Sequence, residues 1–256
     1  MIIRNAQMEE LSKVKLLAFE NEMVVHLAEF SPKLFKVIKE DQMRVVVRFG
    51  IKQAEQYDFT FRGTIRLYLE LMLLFGSHFD TDPQIPTRAK AILKDDAPQM
   101  ERAEQLHQQQ LNYQERVSGP DNVNTRKALE DLSVMAQNPI TTSSNDFVAD
   151  MRREMIRIFP QKVDYIGEEG LTALINEGRA EAQRYEFPTV RGEVLIVVLM
   201  YAFGHGCTDD PLYPWISRTL NDERLIEPAA REARLEKKAV TWLDHVLNNN
   251  RKGEQI

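Results

Sequence analysis

The chain has 256 residues, enough for one large domain or two small ones. Apolar residues make up 43% and charged residues 28%, which allows a sizeable core, whereas 11 Gly and 11 Pro are few for an all-β protein. The net charge of −6 argues against a general nucleic-acid binder, and the single cysteine, Cys207, excludes an internal disulfide and a Cys-based zinc site.

No stretch of the sequence predicts a secretory signal or a membrane span. The N-terminal residues lack a continuous apolar segment, and the most apolar runs, 67–75 and 194–203, are roughly half as long as a bilayer span requires. We therefore expect a cytoplasmic protein in which both apolar runs form buried helices.

The first half of the chain predicts five helices. Apolar residues at steps of three and four predict an amphipathic helix that ends near Phe30, since the residue before Pro32 disfavours the helical region. Gly76 is placed to end the third helix, and Asp82 to cap the fourth with Pro83 at its first position. The four helices after the first are predicted at about 40–57, 63–75, 83–93 and 98–117.

The second half repeats this plan after a connecting helix at about 124–136. A polar, breaker-rich segment, 138–145, is the predicted linker. No convincing strand pair or hairpin turn is present. The five helices that follow the linker are predicted at about 145–159, 168–185, 191–203, 211–220 and 223–248.

An internal repeat organises these elements. An offset of 128 positions aligns residues that punctuate structure, in order, over much of each half. The matches include Phe19 with Phe147, Pro32 with Pro160, Glu40 with Glu168, Gly50 with Gly178, Tyr57 with Tyr185, Phe59 with Phe187, Gly76 with Gly204, and Asp82-Pro83 with Asp210-Pro211.

This repeat predicts an all-α protein built from two diverged copies of a roughly five-helix unit. We expect the copies to pack as a pseudo-twofold helical bundle, because the apolar helix at 195–203 has to be covered on all sides. The predicted organisation is copy 1 at 1–120, a connecting helix and linker at 121–144, and copy 2 at 145–256.

Two equivalent loops, 76–86 and 204–214, are the candidate site. Each holds histidine, acidic and hydroxyl side chains within a few positions, which could form a polar binding pocket or a cation site. The simpler interpretation is structural: the two Asp-Pro aspartates cap helices, and neighbouring side chains close turns. The candidate binding residues are His78, Asp80 and Asp82 in the first loop, and His205, Asp209 and Asp210 in the second.

Other chemical signatures are weak. Glu104 and His107 form one Glu-x-x-His, whereas a di-iron bundle needs two, and Cys207 beside His205 lacks a third group to orient it. The phosphate-binding, dinucleotide-binding and common hydrolase motifs are missing. We therefore predict no metal, no cofactor and no catalytic residue.

The last predicted helix carries an apolar face near its C-terminal end. Trp242, Leu243 and Val246 lie on this face and are candidates for binding a partner. The alternative is that the helix closes the core of the second copy.

Part of the sequence resembles a family of bacterial proteins that is often encoded beside type VI secretion spike and effector genes. The resemblance covers mainly residues 1–93, with an echo in 147–220, where Cys207–Pro211 departs from the most specific motif. The residues that carry it are Met1–Arg4, Gln7–Glu9, Gly50, Tyr57, Phe59, Arg66–Met72, Gly76 and Phe79–Pro83.

The resemblance implies a binding role with another protein as partner. One possibility is an adaptor or chaperone for a secretion effector or spike component, and the other is an immunity protein that neutralises a toxin. We favour the adaptor, because a duplicated scaffold offers two related surfaces. An alternative from another class is a metal-dependent or hydrolytic enzyme centred on the two Asp-Pro loops. The sequence leaves the oligomeric state open.

Overall fold

The computed structural model describes residues 5–138, 140, 142 and 146–253, and this part of the chain contains helices and no strand. The all-α prediction is confirmed. Met1–Arg4, which belongs to the family resemblance, and part of the predicted linker lie outside the described residues. In the described part, no helix has the length and apolar character needed to cross a membrane.

Six α-helices and two short irregular turns form the first part of the fold. The predicted end of the first helix at Phe30 is confirmed. The elements are α1 (Asn5–Phe30), α2 (Pro32–Glu55), α3 (Arg62–Phe75), α4 (Thr87–Leu93), α5 (Gln99–Tyr113), a π turn (Gln114–Ser118), a 3-10 turn (Pro120–Asn122) and α6 (Val123–Gln137).

Five α-helices follow. α11 begins five residues later than the sequence predicts, because a turn precedes Pro228. The elements are α7 (Phe147–Ile158), α8 (Pro160–Arg184), α9 (Val190–Phe203), α10 (Pro214–Leu220) and α11 (Pro228–Gly253).

The second helix of each series is broken at the same relative position. α2 is kinked at Lys39 (φ 67°, ψ 172°) and α8 at Gly167 (φ 74°, ψ 173°). The sequence predicts helix starts at Glu40 and Glu168, immediately after these breaks. The helical turns before the breaks, which begin at a proline in both cases, were not predicted.

The predicted start of the fourth helix is wrong in both series. α4 begins at Thr87 instead of Pro83, and α10 at Pro214 instead of Pro211. The carboxylates expected to cap these helices instead accept backbone N–H groups two residues further on, so the intervening residues form turns.

The core consists of two apolar clusters. The first lies among α1 to α5 and contains Met43, Phe59 and Tyr68, and the second lies among α6 to α11 and contains Leu174 and Ile196. Buried residues cross between the clusters in both directions: Leu212, from the second candidate loop, lies in the first cluster, and Val117 of the π turn lies in the second. The two halves therefore meet at these segments.

Candidate functional site

The two predicted loops touch each other through glycine. Gly76 and Gly204 end α3 and α9 with the same backbone conformation, φ 97°. A Cβ at Gly76 would lie 2.4 Å from the carbonyl oxygen of Phe203, and one at Gly204 would lie 2.7 Å from that of Phe75. Both the positive φ and the close approach of the two backbones therefore require glycine.

Each loop is held by a carboxylate from the other. Asp210 Oδ2 accepts the backbone N–H of Ser77 at 2.7 Å, and Asp82 Oδ2 accepts that of His205 at 2.8 Å. The second oxygen of each carboxylate closes a turn in its own loop, to Leu212 N at 2.8 Å and to Gln84 N at 2.7 Å. We call Asp82 and Asp210, with the four hydrogen bonds that their carboxylates accept from backbone N–H groups, the carboxylate clamp.

The clamp is almost completely buried. Asp82 is 1% exposed and Asp210 is 2% exposed. Burial raises the pKa of the Asp210 carboxyl, and the hydrogen bonds from Ser77 and Leu212 oppose that rise. Hydrogen bonds from backbone N–H groups are the usual compensation for a buried carboxylate, so the geometry assigns both aspartates to holding the loops together.

The remaining residues of the first loop turn to separate neighbours. Asp80 accepts a hydrogen bond from the hydroxyl of Tyr57 at 2.8 Å. The ring of His78 packs edge-on against Phe49, and its Nε2 is buried without a hydrogen-bond partner. His78 and Asp80 therefore form no common binding pocket with Asp82.

In the second loop, both ring nitrogens of His205 have a hydrogen-bond partner. Its Nε2 lies 2.9 Å from the hydroxyl of Thr81 and its Nδ1 lies 3.1 Å from Glu177. Burial alone would lower the pKa of His205, but the hydrogen bond to Glu177 and the charges of Asp82 and Glu177 outweigh it and raise the pKa. Asp209 is exposed, 3.7 Å from Arg184.

Three of the six predicted site residues, His78, His205 and Asp209, line one surface pocket of about 490 Å³. Asp80, Asp82 and Asp210 are not part of its lining. Among the residues that the structure describes, no group of three or more His, Cys, Asp or Glu side chains could hold a metal ion. Cys207 is completely buried, and burial raises the pKa of its thiol well above the usual value, which disfavours a thiolate nucleophile.

The candidate partner-binding face of α11 points towards the body of the protein. The ring of Trp242 packs edge-on against Phe203 with centroids 4.6 Å apart, and Leu243 is buried. Val246 is partly buried. In the single chain Trp242 and Leu243 belong to the second core, and the role of the three residues in partner binding stays a prediction.

A partly open cavity, absent from the sequence predictions, lies between the two halves, and its lining includes the exposed residues Leu74, Asn122 and Ala202. It has a volume of about 270 Å³ and is bordered by α3, α5, α6, α8, α9 and α11. Lys162 of α8 lines it, and its ammonium donates a hydrogen bond to the backbone carbonyl of Tyr201 and lies over the Tyr201 ring, 4.3 Å from the centroid. Burial lowers the pKa of Lys162 to about 8.

The cavity has one polar side and one apolar side. Polar groups come from the clamp and from the end of α5, and the Oε1 of Gln84 there is buried without a partner. On the other side, Leu129, Leu132 and Trp242 also line an adjoining apolar groove of about 110 Å³ between α6, α9 and α11. The two spaces share Leu129, Leu132, Ala202 and Trp242 in their linings, and we call the pair of adjoining spaces the recess, with the Lys162 ammonium in the larger one.

No family model, curated protein or solved structure matches this chain.

Proposed function

We propose that this protein is a non-enzymatic protein-binding scaffold, and that the N-terminal half of α1 is where it contacts its partner. The observation that carries this proposal is an exposed apolar segment of helix. We call residues 5–18 of α1 the arm. All described side chains from Lys13 to Ala18 are exposed, including Val14 (60%), Leu16 (52%) and Leu17 (52%).

The arm differs from an ordinary amphipathic helix in having no covered face over these residues. Leu16 and Leu17 point to different sides of the helix, because successive residues are about 100° apart. Covering a leucine side chain contributes roughly 1.5–3 kcal/mol, so a helix from another protein that packs along the arm would gain several such contributions. An apolar helix face on the partner is the surface that fits.

We also propose that the chain is an internal duplication packed about an approximate twofold axis. Several features recur at an offset of 128 residues in support of it. The kinks at Lys39 and Gly167, the loop glycines Gly76 and Gly204, and the reciprocal contacts of the clamp are all such pairs. A twofold arrangement would place the arm on one side only, since α7 begins at Phe147, the counterpart of Phe19.

The class of partner comes from the family resemblance, which favours a type VI secretion effector or spike component. We propose an adaptor or chaperone. The arm lies outside the repeat unit, so a partner bound there would leave the carboxylate clamp undisturbed. An immunity protein remains the second binding role. Against the hydrolytic alternative, the two Asp-Pro carboxylates, Asp82 and Asp210, are engaged by backbone N–H groups.

The test is affinity purification from the native cell with mass spectrometry, comparing wild type with Leu16→Glu/Leu17→Glu. The matched control is Ile226→Glu, which places a charge at an apolar residue that is 81% exposed and far along the chain from the arm. We expect wild type and the control to recover a secretion effector or spike component in stoichiometric amount, and the arm variant to lose it.

Circular dichroism and thermal unfolding should show all three proteins equally folded. Recovery of no such partner by wild type, or equal recovery by the arm variant, would contradict the proposal. If a toxic effector is recovered, a toxicity assay separates the roles: an immunity protein abolishes toxicity on binding, whereas an adaptor increases effector export.

A further inference from the structure

We propose that the recess beside Lys162 binds a small anionic amphiphile, with its carboxylate paired to the Lys162 ammonium and its apolar chain in the groove between α6, α9 and α11. This is a second binding function, separate from the partner contact made by the arm.

The first support is an ammonium whose hydrogen-bonding capacity is incompletely used. A lysine ammonium has three donors, and the one hydrogen bond found for Lys162 goes to the carbonyl of Tyr201. In the described part of the chain, no carboxylate lies within ion-pair distance of its Nζ. Asp82 borders the same cavity, but its oxygens already accept hydrogen bonds from Gln84 and His205.

The second support is the shape and lining of the recess. The larger space of about 270 Å³ corresponds to roughly nine waters at their share of liquid volume, close to the lower end of the range for ligand pockets. The groove that adjoins it is almost wholly apolar. A molecule with one charged end and one hydrocarbon end matches both parts. The groove residues that would contact the chain are Leu129, Leu132, Met135, Val198, Leu199 and Leu243.

The third support is a comparison with the first half of the chain. Lys162 and Tyr201 lie 128 positions after Leu34 and Leu73, both partly buried apolar residues packed against the first core. Leucine therefore satisfies the packing at these positions of the fold. Lys162 is partly buried, and a partly buried ammonium without a carboxylate partner is a pattern found at binding sites.

The experiment uses decanoate as the probe and isothermal titration calorimetry on the full chain. Decanol, with the same chain and no charge, tests the need for the anion, and acetate tests the need for the chain. We expect saturable binding of one decanoate per protein. We expect binding of decanol to be at least about tenfold weaker, and no measurable binding of acetate.

Variants then locate the site. Lys162→Met should weaken decanoate binding by at least about tenfold, while Lys127→Met, a surface lysine on α6 with a 72% exposed side chain, should leave it unchanged. Ala202→Phe, which keeps the lysine and fills the junction of cavity and groove, should weaken decanoate and decanol alike. This second variant keeps the test valid if Lys162→Met fails to fold.

Equal decanoate affinity for wild type, Lys162→Met and Ala202→Phe would overturn the proposal, as would the absence of saturable binding to wild type. Decanol binding as tightly as decanoate would overturn the role of the ammonium. The arm variant Leu16→Glu/Leu17→Glu should bind decanoate normally, so failure here is distinguishable from failure of the partner proposal.

Discussion

The two loops that join the halves share their backbone contacts and differ in the side chains around them. Asp82 and Asp210 make the same pair of backbone hydrogen bonds with distances that agree within 0.1 Å. Around them, however, Ser77 corresponds to His205, and His78 to Gly206. The glycine and the aspartate that contact the opposite loop are alike, as are the prolines that follow the aspartate.

This difference separates structural from adaptable positions. A carboxylate or a glycine is needed wherever one backbone approaches another, because no other residue type satisfies both N–H groups or fits the space. The side chains beside the clamp differ between the loops and have different neighbours: Ser77 is buried, whereas its counterpart His205 contacts Thr81 and Glu177. The aspartate that the two loops share is therefore an indication of packing and not of common chemistry.

The largest expected effect is loss of the clamp. Asp82→Ala and Asp210→Ala should each lower the free energy of unfolding by about 3 kcal/mol, because each leaves two buried backbone N–H groups without an acceptor. Asp82→Ala should cost more, since Asp82 also accepts from the Gln84 side chain at 3.1 Å. Urea unfolding measures both, with the exposed neighbour Asp209→Ala as control. A loss no larger than that of the control would contradict the clamp.

A slightly smaller loss is expected from the crossing glycines. Gly76→Ala and Gly204→Ala should each cost about 2 kcal/mol, because alanine is strained at φ 97° and its Cβ meets the opposite carbonyl. Gly63→Ala is the control: Gly63 lies in α3 with open space around it, and alanine favours helix. Thermal unfolding measures the three variants. If Gly63→Ala lowered the melting temperature as much as the other two, the contact between the loop backbones would not be the cause of the loss.

The kinks in α2 and α8 offer an exchange between the halves. Lys39 has a backbone conformation that suits glycine, and its counterpart Gly167 has the same conformation. A Cβ added at Gly167 would have no neighbouring atom within 4 Å. Lys39→Gly should therefore stabilise the protein by about 1 kcal/mol, and Gly167→Lys should destabilise it by a similar amount. Chemical denaturation of both variants checks this, and two changes of the same sign would refute it.

The smallest effect concerns His205, which stands where the first loop has Ser77. Its pKa is raised in the folded protein, so it binds protons more tightly there than in the unfolded chain. Its stabilising contribution should be fully present below the unfolded pKa near 6.5 and lost as the pH rises through the folded value. His205→Ser should remove this part of the pH dependence of the melting temperature. Parallel pH profiles for wild type and variant would contradict it.

Much of the helical plan was predictable, because periodicity and the recurrence of proline and glycine are local signals. The partners of the loop carboxylates were not, since a sequence shows that Asp82 can accept a hydrogen bond but not that His205 will donate one. The helix starts at Pro83 and Pro211 were wrong for this reason: the two aspartates were assigned to local caps, whereas they also bind a distant loop.

The recess was missed because Lys162, taken alone, is typical of the polar face of a helix. A signal was nevertheless present. The offset of 128 residues pairs Lys162 with Leu34 and Tyr201 with Leu73, and these two apolar-to-polar changes indicate a change of environment.

The exchanged carboxylates have a consequence for how the chain can be divided. Each half supplies the acceptor for an amide of the other, so a fragment ending after α6 would keep the buried Asp82 and lose the His205 amide that it binds. Deletion of either half therefore leaves polar groups without hydrogen-bond partners on the surface of the remaining half. A cut between α6 and α7 would leave the two pieces complementary, like the subunits of a heterodimer, whereas expression of one piece alone would give an incomplete particle.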